Sequence, residues 1–317
     1  MIIKPIFIIG APRSGTSMLF HILRTSQAFW SLPSEGFHIW NTLCHPSLHN
    51  WMSEQCDDPD AVSEDHKEKI RTLYEQQSMP SWFWRYLIKP ASIWRFNSTS
   101  TAKLKRKLQG NTYTMAITAC YYLNPVRKYV KRRVLDKSLG NCLRLNLVKT
   151  IFPDAKFIYI KRHGLASIKS LINSWLNPDR FITFYPPEPI KITGYDRPEW
   201  KFIMPEGWRQ FNNRHLAELC LWQWKNCHEH ILSFKQKNPG IFLDVKMEEM
   251  ISKPGPVLEK LAAFTEVPYI KFAPYLSRGI PQINETPEEL NKDFPFPEYL
   301  QNIKSEIQPI MEILGYE

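Results

Sequence analysis

Residues 4–26 read KPIFIIGAPRSGTSMLFHILRTS, and this one stretch restricts the folds open to the chain more than any other. The unbroken apolar run Ile6 to Ile9 reads as a strand buried on both faces, and the pattern after Gly15 reads as a helix. Between them lies a turn with Gly10 and Gly15 five residues apart. A strand feeding a helix through such a turn aims several backbone N–H groups and the positive end of the helix dipole at one point, a cradle for a phosphate. Ser14, Gly15, Thr16 and Ser17 are the residues expected to form it, with the Thr16 and Ser17 hydroxyls adding donors. An ordinary tight turn needs one Gly, without the second Gly, the Arg and the three hydroxyls. The nucleoside triphosphate version of this loop places Lys directly after the second Gly. Here Thr16 stands in that position and the cation is Arg13, three residues earlier. Without that Lys the loop is poorly made to grip a triphosphate with magnesium, but it still holds one phosphate.

The rest of the chain repeats the alternation. NCLRLNLVKTIFPDAKFIYIKR (141–162) reads as helix, turn and strand, with the Phe-Pro-Asp break as the stop. GLASIKSLINSW follows as a helix. Residues 214–236 form a long amphipathic helix, GIFLDVKMEEM a third strand, PGPVLEKLAAFTEV a helix, and SEIQPIMEILGYE a last one. A short helix is expected around 102–109. Residues 28–100 have no clear period, and 177–208, rich in Pro and aromatics, read as an irregular excursion. Strands alternating with helices define an α/β protein. The expectation is a P-loop-like parallel β-sheet flanked by helices, one domain over residues 1–317, with long loop and helical excursions.

The net charge of +10 asks for an anionic partner. VRKYVKRRVLDK (126–137) concentrates some of that charge, as a solvated helix face or an anion-facing surface. Six Cys without CxxC spacing argue against a disulfide framework or zinc ribbon and for a reduced, cytoplasmic setting. Cys44, His45, His49 and Cys56 match no standard ligand pattern, and Cys227, His228 and His230 sit in an amphipathic helical stretch, so no metal site is expected. No stretch reaches the ~18 apolar residues of a membrane span. IFIIG is too short for the apolar core of a signal peptide. SWFWRYLIKPASIWRF (81–96) is apolar with interleaved cations, a composition suited to peripheral contact with a membrane surface.

Four stretches together resemble the sulfotransferases that use 3′-phosphoadenosine 5′-phosphosulfate (PAPS), in particular the bacterial and tyrosylprotein group. GAPRSGTS is similar to the loop that binds the 5′-phosphosulfate. FIYIKRHGLASIKSLINSW resembles the 3′-phosphate motif: a strand, an Arg, and a helix with Ser eight residues on, here Arg162 and Ser170. Arg at a strand end and Ser about two turns into the next helix grip one phosphate from two sides. DKSLGNCLRLNLVKTIFPDAKF and VKMEEMISKPGPVLEKLAAF resemble two further blocks, all four in family order.

The resemblance implies a role for each matching residue. Arg13 contacts the transferring sulfuryl group, and Ser14 to Ser17 with Gly15 cradle the 5′-phosphate. Arg162 and Ser170 clamp the 3′-phosphate. Lys137 stabilises the transferring group, and Glu35 is the catalytic carboxylate. The co-substrate is PAPS, the product 3′,5′-ADP, and no metal is called for, because the leaving group is already a phosphate. Two positions depart from the family: Met247 replaces a frequent Tyr, and Ser138-Leu139 replaces Thr-Pro.

An acceptor hydroxyl or amine needs a base. Glu35 leads, with His38 and His163 as alternatives, and Glu35 as a plain salt-bridge partner of Lys137 is the bland reading. In LPSEG, Pro33 ends regular structure, Ser34 is a helix-cap candidate and Gly36 turns the chain. Residues 28–100 and 177–208 are left to form the acceptor side. Their aromatics suit a small-molecule, sugar, lipid or phenolic acceptor rather than nucleic acid. The rival readings are a small-molecule kinase, a basic binding module, and a catalytically degenerate nucleotide-binding fold.

Overall fold

The structure is a computed structural model, and it describes residues 1–32, 35–81, 130–272 and 287–316. Its strands are β1 (Ile6–Ile9), β2 (Trp30–Ser31), β3 (Met79–Pro80), β4 (Val134–Asp136), β5 (Lys156–Lys161), β6 (Ile182–Phe184), β7 (Trp200–Lys201) and β8 (Phe242–Lys246). Six of them form one sheet in the order β3-β2-β4-β1-β5-β8. β1 lies inside it, with Ile6 aligned to Leu135 of β4 on one side and to Lys156 of β5 on the other. The β2–β4, β4–β1, β1–β5 and β5–β8 pairs are all parallel, and only the edge strand β3 runs antiparallel. β6 and β7 make a separate antiparallel pair.

Alternate strand residues feed two apolar layers, as the two-residue period of a strand requires. Ile6, Ile8, Leu135, Ile158 and Ile160 pack on one face, against α1 (Thr16–Thr25) and two helices near the end of the chain, α7 (Met247–Ser252) and α8 (Pro254–Thr265). Phe7, Ile9, Val134, Phe157 and Tyr159 pack on the other. That second layer receives α2 (Phe37–Cys44), α3 (Glu64–Gln77), α4 (Leu145–Ile151), α5 (Gly164–Leu176), α6 (Leu216–Lys237), α9 (Pro287–Lys292) and α10 (Leu300–Ile313). Because both faces are covered, the strands can be continuously apolar. Ile6, Phe7 and Ile8 are fully buried, each such side chain stabilising the fold by roughly 1.5–3 kcal/mol.

Four sequence expectations change. The stretch 126–137 is not a helix face over its described part: it ends in β4, and Arg132 and Arg133 place their guanidiniums over the rings of Trp30 and Phe29, at 4.9 and 5.2 Å. The described residues of 28–81 include two strands, two α-helices and a 3-10 turn, Pro46–His49. α3 has a local start signal, Ser63 as N-cap with Glu64 and Asp65 in the first turn. The excursion 177–208 includes the β6–β7 pair. The third strand stops at Lys246, and Met247 already begins α7. The expected helix at 102–109, the segment 82–96, residues 126–129, and Pro33 and Ser34 lie outside the described residues. Among the described residues no helix is long and apolar enough to cross a membrane.

Candidate active site

The five parallel strands end on the same edge of the sheet, and the residue types singled out in the sequence lie just past those ends. Arg13 follows β1, Glu35 follows β2, Lys137 is the next residue after β4, Arg162 the next after β5, and Met247 the next after β8. The carboxyl ends of parallel strands, where the strand order reverses direction, are where ligands bind in open α/β sheets. All five residues line one cavity of about 460 Å³.

The loop after β1 has a left-handed backbone at its second glycine. Gly15 sits at the N-cap of α1 with φ 95°, a left-handed conformation, and supplies no side chain to cap the helix. A side chain there would also meet Met247, whose Sδ lies 3.0 Å from where a Cβ would be. The thioether at the departure position thus packs on the loop. Gly15, Thr16 and Ser17 line the cavity. Ser14 does not. It is fully buried beneath the loop, with its N–H donated to the Ala11 carbonyl at 3.2 Å. Its Oγ takes no hydrogen bond, an orphaned polar atom beneath the cavity-lining part of the loop.

A second cationic centre lies beside it. Arg162 is 9% exposed and donates from Nη1 to the Arg13 carbonyl at 3.2 Å. Ser170, on α5, accepts from Nε of Arg13 at 3.0 Å. The Arg13 guanidinium also lies 4.8 Å from the centre of the Phe181 ring. Burial, then the charges of Arg162 and Arg180, lower the Arg13 pKa to about 10. Like charges held together in a half-buried pocket favour an anion among them. Arg180 and Phe181 carried no sequence signal. Phe181 stacks on Phe202 at 5.0 Å, and both have left-handed backbones, φ 63° and 61°. Bulky residues rarely adopt that conformation, and such strain collects at ligand sites.

On the other side of the loop, Lys137 donates from Nζ to Ser17 Oγ at 2.8 Å and is ion-paired with the Glu35 carboxylate. The two come from positions 102 residues apart. Of the alternative bases, His38 bonds through Nε2 to Gln77, and His163 presents its ring edge-on to Tyr316 at 5.8 Å. Neither lines the cavity. Gly36 does not turn the chain through a left-handed backbone, since its φ is −68°. It is needed instead for space, because a Cβ there would lie 2.5 Å from the Tyr74 hydroxyl. Ser138, the other departure, donates its hydroxyl to both oxygens of Asp136 at 3.2 and 3.1 Å and begins a 3-10 turn, Leu139–Leu143.

The residues doubted as metal ligands have other engagements. His45 Nδ1 accepts from the Ser47 N–H, and His49 Nε2 bonds the Leu43 carbonyl. His228 is buried against Tyr159. Among the described residues no group of three or more His, Cys, Asp or Glu side chains could hold a metal ion. Cys44, Cys56, Cys142, Cys220 and Cys227 are free thiols.

Comparison with known proteins bears on the fold and the family. No curated protein matches the sequence. Among solved structures, the chain is similar to the sulfotransferase STF9 from Mycobacterium avium, at 14% identity and TM-score 0.52, covering 100% of this chain and 78% of that one. That likeness concerns the fold. Weaker matches include the sulfotransferase domain from the curacin biosynthetic pathway, at 17% identity, 99% and 98% coverage and TM-score 0.47. Another is mouse SULT7A1 complexed with PAP, at 13% identity, 97% and 84% coverage and TM-score 0.42. A family model described as the sulfotransferase family matches residues 5–183, more than half of the chain, and the chain belongs to that family.

Proposed function

We propose that the chain transfers a sulfuryl group from PAPS to a hydroxyl or amine of a small-molecule, sugar, lipid or phenolic acceptor, and that residues 1–317 act as one domain in doing so. One observation carries the reading. The Gly15–Ser17 loop, Arg162 and Ser170 line the same cavity as the Lys137–Glu35 ion pair, and we read the loop as one phosphate centre and Arg162 with Ser170 as a second. A donor with a 5′-phosphosulfate and a 3′-phosphate uses both centres, and a nucleoside triphosphate does not.

The loop holds the 5′-phosphate through its N–H groups and hydroxyls, and Arg162 and Ser170 hold the 3′-phosphate. Lys137, with Arg13 swung from Ser170, stabilises the charge that spreads over the sulfuryl oxygens as the bond to phosphate breaks. Glu35 takes the proton of the acceptor hydroxyl. Its pairing with Lys137 sets the carboxylate beside the transferring group, so the salt bridge and the base are two states of one device. The leaving group is a phosphate and the cations are the protein's own, so the reading calls for no metal. Phe181, Phe202 and Leu139 give the cavity the apolar wall an acceptor's carbon skeleton requires. Peripheral contact with a membrane and a cytoplasmic setting remain part of this reading through the composition of the chain.

Calorimetric titration of the purified protein with 3′,5′-ADP, 5′-AMP and magnesium–ATP tests it. The expected outcome is tightest binding of 3′,5′-ADP. Preference for magnesium–ATP would return the kinase reading, and binding of none of the three would leave a fold without the nucleotide function.

A further inference from the structure

The resemblance assigns roles to Glu35 and Lys137 but not to the residue that brings them together. We propose that Asp136 is the positioning residue of this pair. The inference rests on the reading of Glu35 and Lys137 given above.

Asp136 is the last residue of β4 and is 1% exposed. Oδ1 accepts from the Gly36 N–H at 3.1 Å and from the Ser138 hydroxyl at 3.2 Å. Oδ2 accepts from the Tyr74 hydroxyl and the Asn141 amide, both at 2.9 Å. Gly36 follows Glu35 in the chain, and Lys137 follows Asp136. A single buried carboxylate therefore ties together the two backbones that carry the pair, one past β2 and the other past β4.

Every group around Asp136 donates. A carboxylate has acceptor capacity for all four and no proton of its own to misplace. An amide of the same size would turn an NH₂ toward these donors and leave at least one of them unpaired. The donors are held in turn. The Trp40 indole N–H donates to the Tyr74 oxygen at 2.9 Å. Burial, then the Asp136 charge, raises the Tyr74 pKa well above its usual value, so the phenol stays a donor. Gly36 is fitted to this packing, because a Cβ would lie 3.2 Å from Asp136 Oδ1 as well as against Tyr74. A misplacement of about 1 Å in a catalytic pair can cost about 100-fold in rate.

A buried Asp that only secured the 3-10 turn would show the same burial, so the test must separate the two roles. Asp136→Asn, Glu35→Gln and the double variant are compared in kcat, KM and affinity for 3′,5′-ADP. The expected result is a fall in kcat of roughly 100-fold for Asp136→Asn, with 3′,5′-ADP affinity within about twofold of the parent. In the Glu35→Gln background, the same change should cost less than about threefold, because it acts through a pair already broken. Tyr74→Phe removes one donor and leaves the carboxylate, and should lower kcat by roughly tenfold at unchanged 3′,5′-ADP affinity. It carries the test if Asp136→Asn does not fold. Losses that multiply in the double variant, or near-parental kcat in Asp136→Asn (in Tyr74→Phe, if that variant replaces it), overturn the proposal. Glu35→Gln with parental kcat would instead remove the base reading on which it rests.

Discussion

Arg162 is a charged side chain at the end of a strand whose preceding residues, Phe157 to Ile160, are fully buried and apolar or aromatic. Such a charge is tolerated where the strand leaves the core, and there it is aimed back at the loop after β1. A charge-assisted hydrogen bond to a phosphate contributes roughly 1.5–3 kcal/mol. Arg162→Ala should therefore weaken 3′,5′-ADP by about tenfold or more while 5′-AMP changes little, because only the former carries the 3′ group. Titration of both nucleotides against the variant checks this, and equal weakening of the two would make Arg162 structural. Met247 belongs at the same scale. Its thioether against Gly15 fills space beside the loop, so the family's frequent Tyr is replaced here by packing of a different shape.

Close to Lys137 in the chain lies the 3-10 turn Leu139–Leu143. It is held from below by a buried ion pair. Arg144 donates from Nη2 to Glu54 at 2.9 Å and from Nε to the Gly140 carbonyl at 2.9 Å, with each side chain 2% exposed. Glu54 also accepts the Met204 N–H at 2.9 Å, which ties in the segment that carries Phe202. The pair thus connects the Lys137 turn with both excursions left to the acceptor side. Breaking one partner of a buried pair leaves an unpaired charge and costs roughly 3–5 kcal/mol. Glu54→Gln should lower the denaturation midpoint accordingly, and Glu54→Gln with Arg144→Met should recover part of the loss. A midpoint unchanged in the single variant would show that the pair contributes nothing net.

For the whole molecule, two histidines, His228 buried and His21 half-buried, contribute to the acid side of stability. Burial, with Lys161 nearby, lowers His228 to about 3. Burial, Arg24 and Lys137 lower His21 to about 4. Both values lie below the unfolded value near 6.5, so between them the unfolded chain binds more protons than the folded one. Stability is then full above pH ~6.5 and falls as the pH drops toward the folded values, by about 2 kcal/mol for His228 between pH 7 and 5. His228→Asn cannot titrate, and its amide oxygen can still accept from Tyr159. Its unfolding free energy should therefore fall less than the parent's over that pH range. Denaturant melts at the two pH values give the comparison, and parallel losses would exclude His228 as the cause.

What the sequence determined by itself is what lies within one strand–turn–helix unit. The β1 loop with its two glycines, and Arg162 eight residues before Ser170, are local patterns. Runs of four apolar residues in β1 and β5, and helices of ten or more residues after them, stand out without help from the rest of the chain. β2 and β4, at two and three residues, are too short to show any period, and their place in the sheet comes from pairing with distant strands. The meeting of Glu35 with Lys137, the turn of Arg13 toward Ser170, and the four donors on Asp136 all depend on that sheet order. Local propensity carries no information about which strands become neighbours. Burial and hydrogen bonding across the folded sheet decide it, and with it which residues share the cavity.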